Sequence, residues 1–229
     1  MALLTMPNWA LYDSDWNWHG FLDQSFEDIA ARGVTKLIVD VRGNEGGLDC
    51  GDLIAARLTD TPIAREGYAR RTRYRQTPER LNQYLDTWDR SFRNWGDDAV
   101  ARADGFYDLR GEAEVDQIEP RGPRFRGQVD VLIDGQNSSA TFQFANCIKS
   151  NNLGRLIGQP TGGNQRGING GAFFFLRLPA SSLEADVPLI ARFPLTPKPD
   201  AGIVPDVEIA LTREDIAAGR DAALEFALS

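Results

Sequence analysis

The segment Asn137-Ser138-Ser139-Ala140-Thr141-Phe142 follows the apolar run Val129–Ile133 and opens a stretch with helical spacing. A hydroxyl there sits at the positive end of a helix dipole, beside N–H groups that have no partner within the helix. An oxyanion formed by attack of that hydroxyl on a carbonyl would accept from those N–H groups. The segment therefore fits a nucleophilic serine, with Ser139 as the candidate. The same residue types also serve as helix N-caps, and Ser138 can cap while Ser139 reacts. A second segment, Asp40-Val41-Arg42-Gly43-Asn44-Glu45-Gly46-Gly47, runs from an apolar stretch into paired glycines. Glycines permit a tight turn whose backbone N–H groups face a ligand. A plain structural turn is the other reading. The spacing is not G-x-G-x-x-G and no Gly-Lys-Ser/Thr follows, which excludes a dinucleotide fingerprint and a P-loop.

Two further segments carry glycine and proline at turn-forming spacing. Gly158-Gln159-Pro160-Thr161-Gly162-Gly163-Asn164-Gln165-Arg166-Gly167 reads as a strand exit into a glycine-rich loop, and Gly202-Ile203-Val204-Pro205-Asp206 as a turn before an extended run. Groups able to take a proton from Ser139 are few. His19 is the single histidine, and the lysines are Lys36, Lys149 and Lys198. Lys149 lies ten residues along the same helix, about 15 Å away by helix rise. Lys36 begins a strand, at the wrong end of a sheet for Ser139. Lys198 stands in a proline-rich loop. Cys50 and Cys147 are not a disulfide framework, and with one histidine and no Cys-x-x-Cys a zinc site is not expected.

The elements that must position these groups alternate. Ala2–Met6 reads as a strand, 21–32 as a helix ended by Gly33, 36–41 as a strand buried on both faces, and 52–58 as a helix. The pattern resumes with a strand at 129–133, a helix at 138–149 and a strand at 155–158. Strands at 172–178 and 188–193 and a closing amphipathic helix at 213–228 follow. Such alternation predicts an α/β fold with parallel strands. Residues 65–125 break the pattern. An arginine- and tyrosine-rich strand at 66–75 precedes a helix from Pro78 to about Trp95 and then a polar, broken stretch. This region reads as an insertion, either a lid or surface decoration.

The 229 residues include 42% apolar and 25% charged positions with a formal net charge of −8, so the chain can bury a core, and an acidic surface repels phosphate backbones. Nucleic acid is thus not an expected partner, and no apolar run reaches the 18 residues of a membrane-spanning helix. The N-terminus has no signal-peptide pattern and enters the first strand directly, which reads as an excised domain.

Taken in order, the four segments resemble the C-terminal processing (tail-specific) serine peptidases and their relative, the tricorn protease core. The family pattern Asp-x-Arg-x-Asn-x-Gly-Gly is met at Asp40, Arg42, Asn44, Gly46 and Gly47, and the Ser-Ala nucleophile motif at Ser139 and Ala140. Gly-x-Pro-Thr-x-Gly is met at Gly158, Pro160, Thr161 and Gly163, and Gly-x-x-Pro-Asp at Gly202, Pro205 and Asp206. The resemblance covers about 1–60 and 127–229. It implies a crotonase- or ClpP-like spiral core, with a mainly parallel sheet flanked by helices, in one catalytic domain over 1–229 that carries the 65–125 insertion. It implies peptide hydrolysis through a Ser139 ester, with an oxyanion hole formed by the Ala140 N–H and an N–H of the Gly46-Gly47 turn. It implies a polypeptide substrate, no cofactor, no metal, and a periplasmic or secreted parent protein. Substrate contacts are expected from Asn164, Gln165 and Arg166. The sequence departs from the family at the base. The usual lysine, twenty-five residues after the serine, is Asn164 here, with Arg166 two further on, and arginine stays protonated. Three explanations stay open: a base supplied by a missing N-terminal segment, an unconventional base such as His19, or an inactive module that binds peptides or apolar ligands. Asp200 is the nearest match to the tricorn branch's carboxylate.

Overall fold

Five runs pair into one parallel sheet in the computed structural model, which describes residues 1–110 and 117–229. The order is Ala2–Thr5, Lys36–Asp40, Gln128–Ile133, Arg155–Gly158 and Val207–Glu208. All four pairings are parallel. Leu37, Ile38 and Val39, and Val131, Leu132 and Ile133, are fully buried, as a strand covered on both faces requires. Ile38, Leu132 and Ile157 form one face, packed on Ala223 and Ala227 of helix α5 (Ala222–Leu228). The other helices are α1 (Trp18–Ala31), α2 (Cys50–Ala56), α3 (Ser139–Ser150) and α4 (Arg213–Ala218). The expected α/β class with a parallel sheet flanked by helices is what forms. Among the described residues no helix is long and apolar enough to cross a membrane.

These elements make one compact unit from Met1–Arg65, Asp116–Asn164 and Asp200–Ser229; the second is built from Glu66–Val115 and Gln165–Pro199. The second unit holds an antiparallel five-stranded sheet, in the order Ile168–Asn169, Ala191–Pro194, Tyr68–Thr72, Tyr107–Leu109 and Ala99–Ala101. Its three-stranded sheet pairs Phe173–Arg177 with Glu184–Pro188 and with Leu85–Asp86. Residues 111–116 of the expected insertion lie outside the described residues.

Three expected elements are corrected. The helix from Pro78 to Trp95 is absent: 3₁₀ turns at Glu79–Tyr84 and Arg90–Arg93 flank the strand Leu85–Asp86. Leu85 pairs with Leu176, Asp89 caps Ser91, and Trp88, Phe92 and Trp95 stack among themselves and on neighbouring aromatics, so tertiary pairing overrides the helical spacing. The strand at 188–193 is two strands, broken at Leu189 and Ile190, which bury in this unit's core. The closing helix is also two, because Gly219 turns left-handed at φ 63° and Asp221 starts a new helix by accepting from the Leu224 N–H at 3.0 Å.

Candidate active site

Parallel strands put their C-terminal ends on one edge, and the loops leaving that edge are where open α/β sheets bind ligands. Asp40 stands level with Leu132, and Gly158 level with Ile133. The loops Val41–Gly47, Asp134–Ser138 and Gln159–Asn164 therefore leave from the same edge. Lys36 is level with Gln128 at the opposite edge and pairs with Asp130 at 3.8 Å.

The first two loops touch. A Cβ placed on Gly46 would stand 2.8 Å from the Ser139 Cβ, 2.9 Å from the Ala140 nitrogen and 2.9 Å from the Ser138 carbonyl oxygen. Gly46 and Gly47 adopt φ 103° and 135°, conformations that side chains rarely take. Gly47 runs beside Trp9, whose backbone a Cβ there would meet at 2.2 Å. Ser139 is exposed and has φ 48°, a backbone strain of about 1–3 kcal/mol of the kind that concentrates at functional sites. Ser138 does not cap α3. Its hydroxyl donates to the Glu45 carbonyl at 2.8 Å, and the Thr141 and Phe142 N–H groups both turn to the Ser138 carbonyl. The Ala140 N–H is left at the helix start, where the dipole favours negative charge. On the turn, the Gly46 N–H is taken up by Asn44 Oδ1 at 2.9 Å, while no hydrogen bond engages the Gly47 N–H among the described residues. The Ala140 and Gly47 N–H groups are thus uncapped on two loops that meet where Gly46 faces Ser139, an arrangement suited to acyl transfer.

The remaining expected residues are placed as follows. His19 lies in the first turn of α1, exposed and stacked on Trp18 with ring centroids 3.5 Å apart. Because α1 links the end of one parallel strand to the start of its neighbour, its first turn lies toward the C-terminal edge. Asn164 donates to Asp200 at 2.6 Å. Gln165 and Arg166 begin a segment of the second unit, where Lys198 pairs with Glu66 at 2.8 Å. Lys149 is held at the far end of α3 by the Val204 carbonyl and Asp206. The two cysteines are free. Burial pushes the Cys50 thiol up to about 12 and the Cys147 thiol up to about 11, which keeps both protonated and poor nucleophiles at neutral pH.

Arg42 ties the turn's root to α5. It donates to Asp40 at 2.9 and 2.6 Å and to Asp221 at 2.7 Å through two nitrogens. These bonds hold the Asp221 carboxyl below the usual carboxylate range. A depressed carboxylate stabilises the fold above its unfolded value, near pH 4, and that contribution is lost as the pH falls through the folded value. Asp221→Asn is therefore expected to cost about 1 kcal/mol at pH 7, a modest figure because solvent reaches the pair. Urea unfolding should show the gap between variant and wild type narrowing progressively below about pH 4.

Sequence reasoning passed over Asn137, which is fully buried beside the serine and bonds to two of the edge loops. Its signal was an amide next to small and hydroxyl residues at a strand exit.

Residues 1–172 match Peptidase family S41. No curated protein matches the sequence. Among solved structures, mature CPAF in complex with lactacystin is 18% identical, with 98% of this chain covering 49% of that one at a TM-score of 0.63. A Parabacteroides merdae protein is 22% identical over 99% of this chain and 59% of its own, at 0.54. The photosystem II D1 C-terminal processing protease is 18% identical over 90% and 41%, at 0.50. The likeness at these identities is one of fold, and the chain spans 41% to 59% of the three structures' lengths.

Proposed function

Because the chain belongs to peptidase family S41, we propose that it is a serine peptidase domain that cleaves polypeptides through an acyl-enzyme on Ser139. The single observation supporting this is the contact of Gly46 with Ser139 and Ala140, which sets an exposed hydroxyl beside unengaged backbone donors. In the proposed reaction the Ser139 oxygen bonds to the scissile carbonyl carbon and its proton passes to a base. The carbonyl oxygen, now negative, accepts from the Ala140 and Gly47 N–H groups. Collapse breaks the C–N bond, the amine leaves with the proton, and water then hydrolyses the ester. We assign the proton to His19, which shares the sheet edge with Ser139 by topology. Asn164, Gln165 and Arg166 are proposed to contact the polypeptide.

The test is a fluorophosphonate probe together with an unstructured polypeptide such as casein. The chain is expected to be labelled on Ser139 and to cleave casein. A folded chain that is neither labelled nor active would overturn the reading. One observation favours the second reading, a binding module without turnover: the Ser139 hydroxyl makes no hydrogen bond to a base among the described residues. Catalytic hydrogen bonds are often long before substrate binds. Saturable peptide binding without cleavage, equal in wild type and Ser139→Ala, would favour the module.

A further inference from the structure

Asn44 and Asn137 are both fully buried, and amides removed from water are retained only where their polar atoms are satisfied. Here the partners are the catalytic loops themselves. Asn137 Nδ2 donates to the Val41 carbonyl at 2.6 Å and to the Asn44 carbonyl at 3.1 Å, both on the glycine turn. Its Oδ1 accepts from the Asp134 N–H at 2.9 Å, and its own carbonyl accepts from Gly162 and Gly163 at 2.9 and 3.1 Å. Asn44 Nδ2 donates to the Met6 carbonyl at 2.7 Å, its Oδ1 takes the Gly46 N–H, and its carbonyl also accepts from the Thr141 hydroxyl at 2.7 Å. We propose that Asn44 and Asn137 are positioning residues that clamp the glycine turn onto the first turn of α3 and fix Gly47 and Ala140 as the oxyanion donors. The inference rests on the peptidase reading.

The physical case is geometric. The turn leaves one strand and the serine leaves its neighbour, with no covalent link between them for more than ninety residues. An oxyanion hole works only when its donors are held in place before charge develops, and a displacement of about 1 Å costs a large part of its effect. The Asn44 carbonyl is gripped by Asn137 and by Thr141, one residue on each side of the Ser139–Ala140 pair. By occupying the Gly46 N–H, Asn44 also turns that group away from substrate and leaves the next amide, Gly47, to face it. Neither asparagine touches the reacting atoms.

Asn137→Asp keeps the size but replaces the Nδ2 donor with a carboxylate oxygen facing two carbonyls, which pushes the turn away. Thr141→Val keeps the shape and removes the hydroxyl that stands 2.7 Å from both the Asn44 carbonyl on the turn and the Ser138 carbonyl at the helix start. Both are tested with a small alkyl fluorophosphonate, reading the second-order labelling rate and the fraction of chain labelled at the end. The rate is expected to fall roughly 10²-fold for Asn137→Asp and about tenfold for Thr141→Val, with the endpoint full. A purely structural role would lower the endpoint and leave the rate, which would overturn the inference, as would wild-type rates in both variants. If Asn137→Asp does not fold, the Thr141→Val rate decides. A folded wild type that is not labelled would instead sink the peptidase reading, and this inference with it.

Discussion

Ser139→Ala is expected to abolish fluorophosphonate labelling and to lower casein cleavage roughly 10⁶-fold, the loss typical when a nucleophile is removed from a serine site. Only the residual effect of the oxyanion donors and of substrate binding would survive. The prediction is specific to one hydroxyl, because Ser138, its neighbour, is engaged with the Glu45 carbonyl. Ser138→Ala should lose that single hydrogen bond and remain labelled. The backbone supplies an independent check. Ser139 holds φ 48°, which a glycine adopts without strain and an alanine does not. Ser139→Gly should therefore be more stable than Ser139→Ala by about 1 kcal/mol in thermal or urea unfolding, although both are inactive. Labelling that persists in either variant would remove Ser139 from its proposed role.

Gly46→Ala is expected to lower kcat by roughly 10²–10³-fold, the cost of losing an oxyanion donor, and to destabilise the fold by about 1–3 kcal/mol through its backbone angle. The methyl group has nowhere to go. At φ 103° it would lie 2.8 Å from the Ser139 Cβ and 2.9 Å from two backbone atoms of the same strand exit. Relief requires the turn and the serine to separate, which is the distance that the proposed reaction depends on. Gly219→Ala separates the two effects. It carries a comparable backbone strain at φ 63° with open space around it, so it should lose stability and keep its rate per active site. Equal kcat values for Gly46→Ala and wild type would show that the turn plays no part in the reaction.

The legible parts of this chain are those where the backbone constrains residue type. Paired glycines at 46 and 47 are forced by contacts with Ser139 and with Trp9, so they show in the sequence. The strands at 36–40 and 128–133 are near-continuous apolar runs because both faces are covered, and they too could be read. The second unit could not. Its central pairing sets Arg71 against Ala191, and its two segments are separated by the whole return through the parallel sheet. Local spacing carries no record of such a partner, so 78–95 read as a helix and 165–199 as part of the α/β alternation. For the same reason His19 could be offered as a base only because it is the single histidine. A general base needs only to arrive within reach of the hydroxyl, and nothing in its neighbouring residues marks that arrival. Asn137 was hidden differently, since its importance lies in how many loops it touches.

The Arg42–Asp221 tie joins groups 179 positions apart. A nascent chain leaving the ribosome has its serine and its glycine turn long before it has residue 221. Until then Arg42 lacks one of its two carboxylates, and the face of Ile38, Leu132 and Ile157 has no α5 to cover it. The root of the glycine turn is therefore completed only once residue 221 has been made, well after the serine that the turn faces.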